Sequence, residues 1–324
     1  MTSIGNRTLS TNVFLAPMSG CTDLAFRLIA REHGAAFAFF EMIDSNSVFY
    51  HRKKTYSLLK TLSEDAPIAL QLLGADPDIM LKAARDILSM IDISFVDINA
   101  ACPAKKVVRR KAGSYLLEDR DALYRIIGTL TSSLSVPVTA KIRLGYQNET
   151  LQDIIGLAKR CEGTGASALF VHGRTRLQQY SGEIDYGAIK AIKESVRIPV
   201  FGSGNILSPH EAKTMFDLTG CDGILVARGA LGNPWIFKGI EKHLACGEAA
   251  VKPSLADRKD VLKRHLSYIE RHSDCRPAVR VGIMRKVAFW YLKSFPNARR
   301  IREKICVVND YEKMLEFIDS IGDI

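Results

Sequence analysis

Through residue 229 the chain alternates short apolar runs with longer amphipathic stretches, at a spacing of about 30 residues that suits one strand–helix unit. The runs are VFLAPM (13–18), FAFFEMI (37–43), IALQLLG (68–74) and FVDINAA (95–101), then VPVTAKI (136–142), ALFVHG (168–173), IPVFGSG (198–204) and GILVARG (223–229). Most are apolar nearly throughout rather than at alternate positions, as strands buried on both faces should be. Between them lie segments of helical period with defined ends. TDLAFRLIAREHG opens on capping residues and closes on Gly34. In SPHEAKTMFDLTG, Ser208 is the cap, Pro209 the first helical residue and Glu211 the capping-box residue. ADPDIMLKAARDILSM and ETLQDIIGLAKRCEG follow the third and fifth runs.

Alternating strand and helix predicts parallel strands covered by helices, and eight such units close into a (β/α)8 TIM barrel. An open doubly wound sheet is the alternative, but APMSGCTD after the first run is not G-x-G-x-x-G. Beyond residue 246 the pattern changes. CGEAAVKPS reads as a linker, and ADRKDVLKRHLSYIERHS carries Val261, Leu262, His265, Leu266 and Ile269 on one helical face. PAVRVGIMRKVAFWYLKSF is a second helix, broken at Pro296, and NARRIREKI and DYEKMLEFIDSI complete the region. The predicted organisation is an α/β barrel domain over 1–246 and a small all-helical C-terminal domain, a bundle, over 247–324.

Composition and charge add a compartment, the absence of a metal and a partner class. The polar start MTSIGNRTLSTN and the lack of any run near the roughly 18 apolar residues of a membrane span predict a cytoplasmic protein. Seven cysteines (21, 102, 161, 221, 246, 275 and 306) are scattered and never form C-x-x-C. That fits neither a disulfide framework nor a zinc site, so no metal is expected. The net charge of +10 is unevenly spread: Lys252 to Lys304 holds fifteen Lys and Arg against five acids, while residues 305–324 carry −4. A basic segment of this kind is the footprint of a polyanion partner. A monomer is expected.

Barrel chemistry collects where the strands end. Those ends give Pro17, Met18 and Ser19 after the first strand, Glu41 after the second, and Gln71 on the third. Asn99 and Cys102 follow the fourth, with Lys141 and Arg143 at the fifth and His172 and Arg174 at the sixth. Ser203-Gly204-Asn205 stands at the seventh and Ala227-Arg228-Gly229 at the eighth. So many polar groups at one end mark a site. The turns GSGN and ARGALGN each lead toward a helix, and such turns on the last two strands form the usual barrel phosphate cradle. Lys141 then has two readings, a Schiff-base lysine or a cation beside the N1–C2=O edge of a flavin. At the same rim, NAACPAKKVVRRKAG (99–113) sets the Cys102 thiol beside five bases: Lys105, Lys106, Arg109, Arg110 and Lys111.

These residues lie in blocks that stand in a fixed order: APMSGCTDLAFR, LQLLG, DINAACPAKKVVRRKAGSYLL, AKIRLG, VHGRTR, GSGNI and ARGALGNPWIF. With the later MRKVAFWYLKSFPNA, they resemble the tRNA-dihydrouridine synthases, the B-type bacterial branch in particular, from about residue 12 to 305. The resemblance implies an FMN-binding barrel, a helical domain that helps grip tRNA, and reduction of uridine to 5,6-dihydrouridine with NADPH (or NADH). By position it implies that Pro17, Met18, Ser19, Gln71, Lys141 and His172 contact FMN. Ser203, Gly204, Asn205, Ala227 and Arg228 are implied to hold its phosphate, and Cys102 to be the proton donor. The chain departs from the family pattern at Ser203-Gly204-Asn205 (usually Asn-Gly-Asp), at Ala227-Arg228 (usually Gly-Arg) and at Ala101 (usually Gly). Phosphate held by backbone N–H groups tolerates these changes, and Ala227 requires a negative φ.

Reducing the C5=C6 bond of uracil takes a hydride to C6 and a proton to C5. An ordinary thiol, of pKa about 8.5, is protonated at pH 7 yet acidic enough to meet the enolate at C5. Nearby cations favour thiolate, so the five bases of the loop are expected to point outward to RNA phosphates. Arg285, Lys286, Lys293, Arg299, Arg300 and Arg302 are the expected phosphate contacts of the helical domain, with Trp290, Tyr291 and Phe295 in its core. The target base must swing out of the folded RNA to reach a flavin. Arg143, Arg174 and Arg176 are further candidates for phosphate contact, and Tyr180, His51 and Glu41 for substrate contact. The rivals are a small-molecule flavin reductase of dihydroorotate or enoate type, the same chemistry on ribosomal RNA, and a non-catalytic RNA-binding protein. The first has no need of a basic helical annex; the last needs neither Cys102 nor Lys141.

Overall fold

The computed structural model describes residues 2–248, 252–293, 295 and 297–322. Eight parallel strands close into a barrel: β1 (Val13–Leu15), β2 (Ala38–Asp44), β3 (Ile68–Leu73), β4 (Val96–Ala100), β5 (Val138–Arg143), β6 (Leu169–His172), β7 (Val200–Ser203) and β8 (Gly223–Val226). Strand β8 pairs with β1 to complete the ring. Each strand coincides closely with one apolar run, because a strand walled by helices outside and by packed side chains inside has no wet face.

A short antiparallel hairpin, Thr2–Ile4 with Arg7–Leu9, precedes the barrel where the sequence suggests only a polar lead. Its Ile4 and Leu9 join Phe14, Phe37, Phe39, Phe95, Phe170 and Phe201 in one buried cluster at the N-terminal end of the strands. Phe37 and Phe95 stack at 5.4 Å between centroids and Phe14 and Phe201 at 4.7 Å. With the lower barrel filled by rings, polar side chains collect toward the opposite end.

Helices α1 (Leu24–Glu32), α2 (Pro77–Leu88), α3 (Arg120–Ser133), α4 (Leu151–Gly163), α5 (Tyr186–Ser195), α6 (Pro209–Thr219) and α7 (Ile236–Cys246) surround the strands. Between β2 and β3 two short turns, Ser45–Phe49 and Lys53–Tyr56, stand in place of a full helix. Ser208 caps α6 by accepting from the Glu211 N–H, and Glu211 meets the Ser208 hydroxyl rather than closing a capping box on its backbone.

Helices α8 (Leu255–His272), α9 (Pro277–Leu292), α10 (Ala298–Val307) and α11 (Tyr311–Asp319) follow. The buried face of α8 is Val261, Leu262, His265, Leu266 and Ile269, the stripe its periodicity predicts. These side chains, His265 apart, join Met284, Val287, Tyr291 and Phe295 in a second core, to which α1 contributes Ala25 and Ile29. The helical region therefore rests on the outer face of α1, and Trp290 packs against both cores. Helix α9 ends at Leu292, and the break assigned to Pro296 lies outside the described residues. Among the described residues no helix is long and apolar enough to cross a membrane, and no His, Cys, Asp and Glu cluster could hold a metal ion.

Candidate active site

A cavity of about 410 Å³ opens at the C-terminal ends of the strands. Its wall takes Pro17, Met18 and Ser19 from the loop after β1, Gln71 from β3, Lys141 from β5 and His172 from β6. Ser203, Gly204 and Asn205 line it at the end of β7, and Ala227 and Arg228 after β8. Cys102 joins them from the loop after β4, so one space gathers every residue named for the flavin and the proton. Met42, Asn99, Arg143 and Tyr180 also reach that wall.

Strand register explains the polar floor of this space. Gln71 sits beside Asp97, and Asp97 beside Thr139, so the three side chains share a level and a face. Gln71 Nε2 donates to Asp97 Oδ2 at 2.7 Å and Thr139 Oγ1 to Asp97 Oδ1 at 2.7 Å. Asn99 Nδ2 donates to Gln71 Oε1 at 2.8 Å. Asn99 Oδ1 then accepts from the backbone N–H groups of Ala101 at 3.1 Å and Cys102 at 2.9 Å. The Cys102 carbonyl accepts from the Ser114 N–H at 3.0 Å. Gly113, at φ +63°, lies so close that an added Cβ would stand 2.8 Å from that carbonyl oxygen. The half-buried thiol thus has its backbone held on both sides. Asp97 escaped the sequence reading, although an acid inside an otherwise uncharged buried run is a visible signal.

Burial pushes the Asp97 carboxyl up to about 7, against the pull of Gln71, Thr139 and Lys141. Burial pulls the Lys141 ammonium down to about 8, helped by Arg143 and opposed by Asp97 and Cys102. Among the described residues the Lys141 ammonium makes no hydrogen bond. Burial first, then the charges of Lys141, Arg143, Arg174 and Arg228, holds His172 near 2, so its imidazole is neutral. The His172 Nε2 is buried without a partner.

Arg143 and Arg174 were expected to meet phosphates, but both are buried and turned onto backbone. Arg143 donates to the carbonyls of Ala101 (2.7 Å), Thr175 (3.0 Å) and Gln179 (2.8 Å), and Arg174 to that of Gly182. They pin the loop 175–182 whose Tyr180 stands at the mouth, its ring 5.7 Å from the Arg143 guanidinium and 5.5 Å from that of Arg228. Arg176 packs over Tyr146 at 4.8 Å. In the turn after β7, Gly204 has φ +132° and Asn205 φ +50°, and Asn205 Oδ1 accepts from Arg228 at 3.0 Å. Ala227 has φ −113°, on the side its Cβ demands. Glu41 is buried and accepts from the Gly20 N–H, whereas His51 is exposed and bonded to Tyr56.

The bases proposed for RNA fall into two groups. Lys105, Lys106, Arg109 and Lys111 are exposed on and after the short helical turn Lys105–Val108, as are Lys293, Arg299, Arg300 and Arg302 near α10. Arg110, Arg285 and Lys286 already hold protein groups. Arg110 forks onto Asp44 at 2.8 and 3.0 Å, Arg285 donates to the Val308 carbonyl that ends α10, and Lys286 donates to the Gly20 carbonyl. A second cavity, of about 800 Å³, runs between the barrel loops and helices α8 and α9, with Lys53, Lys54, Lys60 and Arg276 on its wall. Lys53, Lys54 and Lys60 lie outside the basic segment 252–304, and charge counting along the chain passed them over.

Residues 14–322 match the family model described as dihydrouridine synthase. A probable tRNA-dihydrouridine synthase of Rickettsia conorii is 37% identical over 326 aligned positions, covering 99% of this chain and 97% of its own length. The tRNA-dihydrouridine synthase B of Pasteurella multocida is 36% identical, covering 99% and 96%. Among solved structures, the old yellow enzyme from Trypanosoma cruzi superposes with a TM-score of 0.56 over 79% of this chain and 94% of its own, at 11% identity, a likeness of fold.

Proposed function

The chain belongs to the dihydrouridine synthase family, and on that premise we propose that it reduces uridine to 5,6-dihydrouridine in tRNA, with FMN in the barrel mouth and NADPH (or NADH) as reductant. The observation that carries this reading is a single cavity whose wall holds a half-buried thiol, an ammonium with no hydrogen bond and an imidazole nitrogen with no partner. The residues present fit a flavin. An unpartnered cation and a neutral ring nitrogen suit the polar edge of an isoalloxazine, and two glycine-containing turns beside Arg228 suit a phosphate. Gln71, Lys141 and His172 would hold the ring, and Ser203 to Asn205 with Ala227 and Arg228 the phosphate. Bound there in reduced form, FMN would supply the hydride for C6 of uracil.

The protein's own part is placement and one proton. Cys102 Sγ gives its proton to C5 as the enolate develops. Asn99 and Ser114 fix the backbone that carries the thiol, so the donor need not be found by diffusion. Arg143 and Arg174 keep the mouth loop in shape. We assign residues 1–246 to the chemistry and 247–324 to the grip on RNA. The exposed bases of the 105–111 loop, Lys53, Lys54 and Arg276 on the wall of the second cavity and the cations near α10 would together follow a folded phosphate backbone, whereas Lys60 on that wall already pairs with Asp274.

The test is NADPH oxidation by the purified yellow protein, with an unmodified tRNA transcript and dihydrouridine counted by nucleoside mass spectrometry. RNA-dependent oxidation with matching product is expected. Oxidation driven by orotate or an enone, with the transcript inert, would instead make the protein a small-molecule reductase.

A further inference from the structure

We propose that Asp97, which touches neither the cavity nor the thiol, positions Cys102 through a chain of side-chain amides that runs in one sense only. The chain is Asp97, Gln71, Asn99 and then the N–H groups of Ala101 and Cys102. Gln and Asn amides have nearly the same shape either way round, so steric fit does not choose their direction. The carboxylate does. Ionised, its Oδ2 presents only an acceptor, which turns Gln71 Nε2 toward it and Oε1 away. Oε1 admits only a donor, so Asn99 offers Nδ2 and is left with Oδ1 toward the loop. Two backbone donors meet that oxygen, and the turn that carries Cys102 closes on it.

Reversal at any link would set Asn99 Nδ2 against the N–H groups of Ala101 and Cys102, donor facing donor in a buried place. Thr139 anchors the far side by donating to Asp97 Oδ1, and the shared register of β3, β4 and β5 keeps the three floor residues level. Asp97 is therefore a positioning residue, acting through two amides on a thiol in another loop. Its bearing on turnover rests on the assignment of Cys102 as the acid. The geometry of the loop does not.

The experiment is site-resolved alkylation of the protein, as purified, with iodoacetamide at about pH 8.5, where the Asp97 carboxyl is ionised. It is read on the peptide carrying Cys102, with exposed Cys275 as reference. It uses no RNA, so a wrong relay and a wrong reaction give separate failures. In Asp97→Asn an amide can present Nδ2 to Gln71 and let the chain run backward. Cys102 should then react about fivefold faster, with Cys275 unchanged. Adding Gln71→Glu supplies an oxygen to Asn99 whatever residue 97 presents, and the Cys102 rate should fall back to within about twofold of the parent. A merely structural role for Asp97 predicts no such rescue. A parental rate in folded Asp97→Asn, or a folded double variant as fast as the single, overturns the relay. If Asp97→Asn does not fold, Asn99→Ala decides by removing the acceptor itself: acceleration supports the relay and a parental rate overturns it.

Discussion

Arginine and lysine crowd both the barrel mouth and the helical region, and their surroundings separate the two. At the mouth, Arg143 is 2% exposed and Arg174 1%; Arg143 Nε and Nη1 and Arg174 Nε and Nη2 donate to carbonyls of the neighbouring loops, while Arg174 Nη1 is buried without a partner. Near α10, Lys293, Arg299, Arg300 and Arg302 are exposed, and among the described residues Arg299 has only the exposed partner Glu303 one turn away, at 3.2 Å. A buried guanidinium holds shape, because leaving its donors or their carbonyls unmade is costly. An exposed one loses little by exchanging water for phosphate, since surface pairs are worth about 0–1 kcal/mol. Charge alone therefore says nothing about which task a cation has; depth, and at exposed Arg110 the fork onto Asp44, decide it.

The sharpest break in this comparison is at the mouth. Cys102→Ala removes an acid without touching the cations of either region, and turnover should fall by about 10²- to 10⁴-fold. Flavin absorbance and RNA affinity should stay at parental values. Single-turnover product formation at saturating RNA measures it, and a normal rate would end the assignment of the thiol as acid. Next in size is Arg143→Met, which strands the carbonyls of Ala101, Thr175 and Gln179. Urea unfolding should show a loss of about 3 kcal/mol, a depth effect that no exposed arginine of α10 should match.

A third test uses pH. Lys141 is held near 8 by burial, so in the free protein it loses its proton as pH rises above that value. A flavin edge that accepts from the ammonium favours the charged amine, and binding above that pH must then take up a proton. Flavin affinity should therefore be flat below about pH 8 and fall up to tenfold per unit above it. Asp97 titrates lower, near 7, and its ionisation favours the Lys141 charge, so it does not move the fall to lower pH. Neutral His172 adds nothing in this range. Fluorescence titration with FMN reads the effect, and Lys141→Met should flatten it.

What the sequence made legible follows the same division by depth. The eight strands could be read because each is buried on both faces and is apolar almost without interruption. The inner face of α8 could be read because one side of that helix meets the core and the other meets water. The hairpin at 2–9 could not, since strands of three residues are too short to show a period. Asp97 was missed because its partners Gln71 and Thr139 lie 26 and 42 residues away and only the barrel's register brings them level. The buried roles of Arg143 and Arg174 were hidden for the same reason. A guanidinium at a strand end looks alike in sequence whether it bonds a loop carbonyl or awaits a phosphate.

The smallest effects should divide the helical region itself, where both kinds of cation share a few turns. Arg285 sits on α9 yet donates to the carbonyl that closes α10, and Lys286 reaches the Gly20 carbonyl in the barrel loop after β1. Arg300 and Lys293 have no such duty among the described residues. Replacing Arg300 or Lys293 by Gln should weaken RNA binding less than tenfold at moderate salt and lower the slope of log affinity against log salt by about one each. Thermal stability should not move. Arg285→Gln should do the reverse, costing about 1 kcal/mol of stability through the uncapped end of α10 and leaving the salt slope nearly unchanged. Filter binding across a salt series, paired with thermal unfolding, separates the outcomes. If Arg285→Gln flattens the salt slope as Arg300→Gln does, its guanidinium leaves the carbonyl to meet RNA, and the division by depth fails at that residue.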